Sequence, residues 1–194
     1  AICHSLLKHN QNPLGLLGIT SICEIIIFTP LVFCVPLPTN YVWVLIFTSA
    51  LLHGLYRILV LYSYRFGDLS FIYPVARGGS SLLLAIISIT YLNDKISLLG
   101  FIAILIICLG LFLISYSKKN KFNKTAFILG LLTALMIASY TLVDGIGVRH
   151  SKNAYTYLYW MLLLNGTPAL IASLLFKNNG LRKINKDLLI KGIS

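Results

Sequence analysis

The chain has 194 residues, 58% of them hydrophobic and 11% charged. A soluble domain runs nearer half apolar and a quarter charged, so a water-soluble fold is excluded as the expectation. The net charge of +11 does not indicate nucleic acid either. The basic residues crowd into short stretches between apolar runs (Lys118, Lys119, Lys121 and Lys124, then Lys177, Arg182, Lys183, Lys186 and Lys191), as in loops retained on the cytoplasmic side of a membrane.

A helix needs about 20 mostly apolar residues to cross the hydrocarbon core. Residues 1–8 read as the end of one such span. The chain starts at Ala1 inside an apolar pattern, with no basic n-region and no small-residue cleavage site, and reads as a piece of a longer protein. Six full runs follow: Leu14–Leu37, Tyr41–Tyr64, Leu69–Leu92, Ile96–Tyr116, Ala126–Val148 and Ala154–Phe176. Continuous apolar stretches such as Phe101–Ile107 lack the alternation of a barrel strand. Tyr41 and Trp43 open one run and Tyr155, Tyr157, Tyr159 and Trp160 open another, as an aromatic belt would.

The first full run carries Glu24. The second carries Ser49, His53 and Arg57 at i, i+4 and i+8, on one helix face. Such a stripe lines a cavity or meets a partner helix, and Glu24 is the expected counter-charge for Arg57 or Arg77. The third run holds Tyr73-Pro74-Val75-Ala76-Arg77-Gly78-Gly79-Ser80-Ser81. Proline frees a backbone carbonyl and glycine permits close helix approach. The expectation is a kinked or broken helix whose arginine can meet an anionic group, or a plain kink with a packing surface. In the run Ala126–Val148, the residues Gly130, Thr133, Ile137, Tyr140, Thr141 and Asp144 follow helical spacing. Asp144 can take up a proton, hold a substrate amine or cap a helix end. Asn165-Gly166-Thr167-Pro168 interrupts the last run and marks a second candidate kink.

Ionisable groups inside a span are costly and mark functional paths or buried ion pairs; both readings apply to Glu24, His53, Arg57, Arg77 and Asp144. Arg65, Asp68, Asp94, Lys95 and Arg149 sit at span ends, where snorkelling suffices. His9 and His150 are read as solvated loop residues. Cys3, Cys23, Cys34 and Cys108 lack metal-ligand spacing and read as small buried hydrophobes. Soluble-enzyme motifs are absent: no P-loop, GxSxG, HExxH or dinucleotide glycine pattern. No catalytic residue, cofactor or metal is therefore expected.

The polar stretch Ser117–Thr125 is the expected boundary between two halves, 1–116 and 126–194. His4-Ser5-Leu6-Leu7-Lys8 is similar to Tyr140-Thr141-Leu142-Val143-Asp144, and Thr29-Pro30 to Thr167-Pro168. If these are a repeat, five helices separate the copies and the second is inverted, as in many secondary transporters.

Residues 68–115 resemble the fourth and fifth helices of EamA-type transporters of the drug/metabolite transporter superfamily. The resemblance rests on Ser70, on Tyr73-Pro74 with Arg77-Gly78, on Asp94, and on Gly100 and Gly110. His4-Ser5 with Lys8 resembles the end of the family's first helix, and Tyr140–Gly145 the start of its second repeat. The chain departs from the pattern at Asn93-Asp94, where the family often has Gly-Glu, and at Ser80-Ser81, where a proline often follows. The resemblance implies an all-α polytopic bundle, part of a ten-helix inverted-repeat fold. Six full spans and the end of one more would be present, with helices eight to ten absent.

It further implies a multi-pass protein of the cell (inner or plasma) membrane that moves, chiefly exports, small metabolites, amino acids or drugs by alternating access. On this reading Arg57, His53, Arg77, Tyr73, Asp144 and Tyr140 contact substrate, and Glu24 or Asp144 couples to protons. The expected partners are the lipid bilayer, a small-molecule substrate and, as an option, a second copy in a homodimer; nucleic acid is not one. Loop charge places the lysine-rich loops in the cytoplasm, whereas the family topology, with both termini cytoplasmic, places them outside. Two other classes stay open: a polytopic membrane enzyme acting on lipid head groups, which needs a nucleophile or metal cluster at the surface, and a non-transporting membrane partner protein.

Overall fold

The computed structural model describes residues 13–63, 65–67, 69–90, 97–115 and 123–175, and among them every regular element is a helix. They are α1 Pro13–Val32, α2 Asn40–Ser63, α3 Leu69–Thr90, α4 Leu98–Ser115, α5 Lys124–His150, α6 Ala154–Asn165 and α7 Thr167–Leu175. The tail of an earlier span (1–8), Asp68, Asp94, Lys95, most of the connector and the basic stretch after Phe176 lie outside the described residues.

Among the described residues, five helices are long and apolar enough to cross a membrane: those at Leu14–Val32, Asn40–Ser63, Phe71–Thr90, Lys124–His150 and Ala154–Leu175, the last comprising α6 and α7. The fourth expected run, Ile96–Tyr116, is helical over Leu98–Ser115, 18 residues, or roughly 27 Å at 1.5 Å per residue, just under a typical hydrocarbon core. Leu99 is 81% exposed and Leu113 71%, and Ile106, Ile107 and Leu109 of the same helix are also exposed. In water that surface would be a large apolar patch; facing lipid it has no penalty. These lengths and faces are those of an integral membrane protein.

The helix ends follow from local chemistry. Asn153 caps α6, its side chain accepting from the Tyr155 amide at 3.0 Å. Asn123 caps α5, accepting from the Thr125 amide at 2.9 Å, and the Ser97 hydroxyl accepts from the Gly100 amide at 3.1 Å to start α4. Each cap occupies one of the donors that a first turn leaves unpaired. The run expected to reach Leu37 ends at Val32. Pro36 and Pro38 have no amide to extend it, and the Cys34 amide tightens the last turn onto Leu31 O at 3.1 Å.

The chain divides into two compact units: one built from the chain up to Ile58 together with Val143 onward, the other from Leu59–Leu142. In the second unit α5 presents Ala126, Gly130, Ala134 and Ala138 at four-residue intervals, all buried. A Cβ on Gly130 would come within 3.0 Å of Val75, and one on Gly79 within 3.0 Å of Ala134. Small residues at this spacing bring helix backbones close where lipid gives no hydrophobic drive to associate. The kink expected at Pro74 does not break α3, which is helical from Leu69 to Thr90. Pro74 sits near the start of the helix, so only the carbonyl of Ser70, in the first turn, loses an intrahelical donor.

In the first unit one face of α2 changes character along its length. Val42 and Ile46 pack with Tyr157 and Met161 of α6, flanked by an edge-on Trp43–Trp160 pair with centroids 4.8 Å apart. One turn further the same face becomes polar at Ser49, His53 and Arg57. α1 packs against both α6 and α7.

Candidate functional site

The polar face of α2 is met by acids from two other helices of its unit. Arg57 Nη2 donates to both carboxylate oxygens of Glu24 on α1, at 2.7 and 3.0 Å. Its Nη1 lies 3.4 Å from Ser21 Oγ. Ser21 can accept there because its own proton goes to Leu17 O at 2.8 Å, the in-helix bond that lets a buried serine satisfy itself.

Two turns up the helix, Ser49 Oγ donates to Asp144 Oδ1 at 2.5 Å, and Tyr157 Oη of α6 donates to the same oxygen at 2.8 Å. His53 lies between the two acids. Its Nδ1 is 3.0 Å from Ser49 O and 3.2 Å from Ser49 Oγ, and the ring is within electrostatic reach of Asp144, Arg57 and Glu24. Asp144 stands inside α5, which continues to His150. The helix-cap reading of Asp144 is therefore set aside, as is the loop placement of His150. That residue ends the helix, exposed, with its ring edge-on to Tyr41 at 5.2 Å.

The break after α6 abuts this cluster. Pro168 has no amide, so Leu164 O loses the donor four residues on; it accepts instead from the Thr167 hydroxyl at 2.7 Å and from the Gly166 amide, and the ladder resumes with Leu170 N to Gly166 O at 2.9 Å. Gly166 allows a close approach here: a Cβ on it would crowd Glu24 Oε2 and Ser21 O, each at 3.1 Å. A Cβ on Gly54 would overlap Pro168, and one on Gly147 would overlap the Tyr157 ring. Three buried polar atoms of α6 have no hydrogen-bond partner among the described residues: Thr156 Oγ1, Trp160 Nε1 and Asn165 Oδ1. Each orphan costs about 1–3 kcal/mol when nothing meets it. Asn165 sits at the break.

The expected site residues therefore separate. Glu24, His53, Arg57 and Asp144 come together in one unit. Tyr73, Arg77 and Tyr140 belong to the other. There the exposed Arg77 guanidinium lies 5.9 Å from the centroid of the Tyr73 ring, and Tyr140 is half-buried on α5. Tyr157 was expected in an aromatic belt but is fully buried. Its spacing with Met161 and Asn165, four and eight residues on, is the signal that it shares their inward face. Among the described residues no group of three His, Cys, Asp or Glu side chains is placed to hold a metal ion.

No family model, curated protein or solved structure matches the chain. What the fold defines is a class: a helical integral membrane protein with a polar, ionisable cluster half-buried within one of its units.

Proposed function

We propose that the protein is a secondary transporter of the cell membrane, similar to the EamA type, that moves small metabolites, amino acids or drugs by alternating access. The observation that carries the reading is the cluster Glu24–Arg57, His53 and Ser49–Asp144–Tyr157, drawn from α1, α2, α5 and α6. Two acids, an arginine and a histidine half-buried within membrane helices are costly to place there, and that cost supports a functional role. The helix break at Gly166, packed on Glu24 and Ser21, supports it: interrupted helices beside charged groups are a recurring transporter device.

On this reading the tasks divide. Arg57 and Glu24 neutralise each other and fix α1 on α2. Asp144 and His53 do the exchange, and Arg77, Tyr73 and Tyr140 stay candidates for substrate contact within their own unit. The ten-helix, two-repeat arrangement belongs to the proposal. The test is uptake and efflux of labelled amino acids and of the fluorescent cation ethidium in proteoliposomes holding the full-length protein. Wild type moves at least one of these against a gradient when a pH difference is imposed. Asp144→Asn and Arg77→Ala stay membrane-inserted and lose that movement. Wild-type rates in both variants would end the site assignment, and no movement of any solute by wild type would end the transport reading.

A further inference from the structure

Of the two acids in the cluster, only one can lose its charge without orphaning a neighbour. Both carboxylate oxygens of Glu24 accept from Arg57 Nη2. A guanidinium is always charged and can only donate. Protonating Glu24 would strand a positive charge inside the unit. Asp144 is held by two hydroxyls, Ser49 Oγ and Tyr157 Oη, and a hydroxyl can donate or accept. As a carboxylate Asp144 accepts from both; as an acid it can donate to Ser49 Oγ and still accept from Tyr157. The partners serve both charge states.

Ser49 also touches the imidazole. We infer that the Ser49 hydroxyl is a proton bridge between His53 and Asp144, and that this pair, rather than Glu24, carries the exchanged proton. From the His53 imidazolium the Nδ1 proton passes to Ser49 Oγ, 3.2 Å away, as the Ser49 hydroxyl proton passes to Asp144 Oδ1. The serine is regenerated, the imidazole keeps its Nε2 proton, and charges of +1 and −1 become two neutral groups. The bond to Ser49 O at 3.0 Å aims Nδ1 at this residue. Tyr157 of α6 meets the pair at Asp144, and Glu24 of α1 and Arg57, one turn further along α2, act on the His53 ring electrostatically. The inference rests on the transport reading only for what the proton is exchanged against; the transfer itself does not need it.

The experiment is a pH titration of the full-length protein in lipid nanodiscs. The Asp144 carboxylic-acid C=O band is followed by infrared spectroscopy, assigned by its loss in Asp144→Asn, and the His53 ring by 15N NMR. In wild type the two signals move with one shared midpoint. Glu24→Gln, which uncovers the Arg57 charge, shifts that midpoint but leaves it shared by the two signals. Ser49→Ala splits it into two separate midpoints, and Ser49→Thr, which keeps the hydroxyl, restores one. If Ser49→Ala does not insert, His53→Gln reads the same link from the other end and shifts the Asp144 midpoint. Independent midpoints in wild type, a shared midpoint surviving Ser49→Ala, or a C=O band that disappears with Glu24→Gln instead would overturn the bridge. A shared midpoint in a protein that moves no solute would end the transport reading and leave the bridge standing. Transport with independent midpoints would do the reverse.

Discussion

Arg57 and Glu24, 33 residues apart in sequence, form an ion pair through one guanidinium nitrogen placed 2.7 and 3.0 Å from the two carboxylate oxygens. Their side chains are 16% and 30% exposed, so the pair is screened by neighbouring helices. Breaking a buried pair leaves an uncompensated charge and costs several kcal/mol, while replacing both partners by apolar residues is often neutral.

Arg57→Ala alone should therefore destabilise the protein by about 3 kcal/mol, read as a lower midpoint in an SDS or urea unfolding titration in detergent. Glu24→Leu with Arg57→Leu should lie close to wild type. A double variant as unstable as the single one would show that the pair contributes more than charge cancellation.

Two glycines of α5 should respond in opposite directions. Nothing lies within 4 Å of a Cβ placed on Gly145, whereas one on Gly147 would overlap Tyr157. Gly145→Ala should stabilise the helix by about 0.5–1 kcal/mol. Gly147→Ala should destabilise by about 1–3 kcal/mol through overpacking and displace the Tyr157 hydroxyl from Asp144. Unfolding midpoints of the two variants, compared side by side, check the sign.

The helix break invites a double-mutant cycle. Thr167→Val removes one of the donors to Leu164 O, the hydroxyl, and should cost about 1 kcal/mol. In a Pro168→Ala background the new amide can serve that carbonyl, so the same change should cost much less. Equal costs in both backgrounds would show that the hydroxyl does not stand in for the missing amide.

In the other unit, Gly130→Val should separate α3 from α5. The added methyls enter space already held by Val75. A loss of about 1–3 kcal/mol is expected, together with faster hydrogen exchange in α3. Gly110→Val on α4, where a Cβ would meet nothing within 4 Å, is the control and should show no packing loss.

Much of this architecture was legible without coordinates. Apolar runs near 20 residues specify membrane helices because lipid offers backbone groups no partner, so the chain must satisfy them along its own axis. The run ending at Tyr64 was placed to within one residue, since α2 ends at Ser63. The break at Gly166 was also visible, because a proline cannot donate wherever it is packed. The helix start at Lys124 and the extension to His150 were not, since caps and last turns depend on single side-chain bonds.

The stripe Ser49–His53–Arg57 was legible from the 3.6-residue period alone. What each member meets was not. Glu24 had two candidate partners in sequence, and only packing α1 against α2 pairs it with Arg57. Tyr157 looked like an interfacial aromatic, because sequence shows that a tyrosine is amphipathic but not which way its helix is turned. Asp144 had three readings, and its place inside α5 removed one of them. The sequence by itself determined that this protein is helical and spans a membrane, a matter of local composition and period. Tertiary structure alone decided which buried charges cancel and which hydroxyls hold the remaining acid, because those contacts join positions that no local pattern relates.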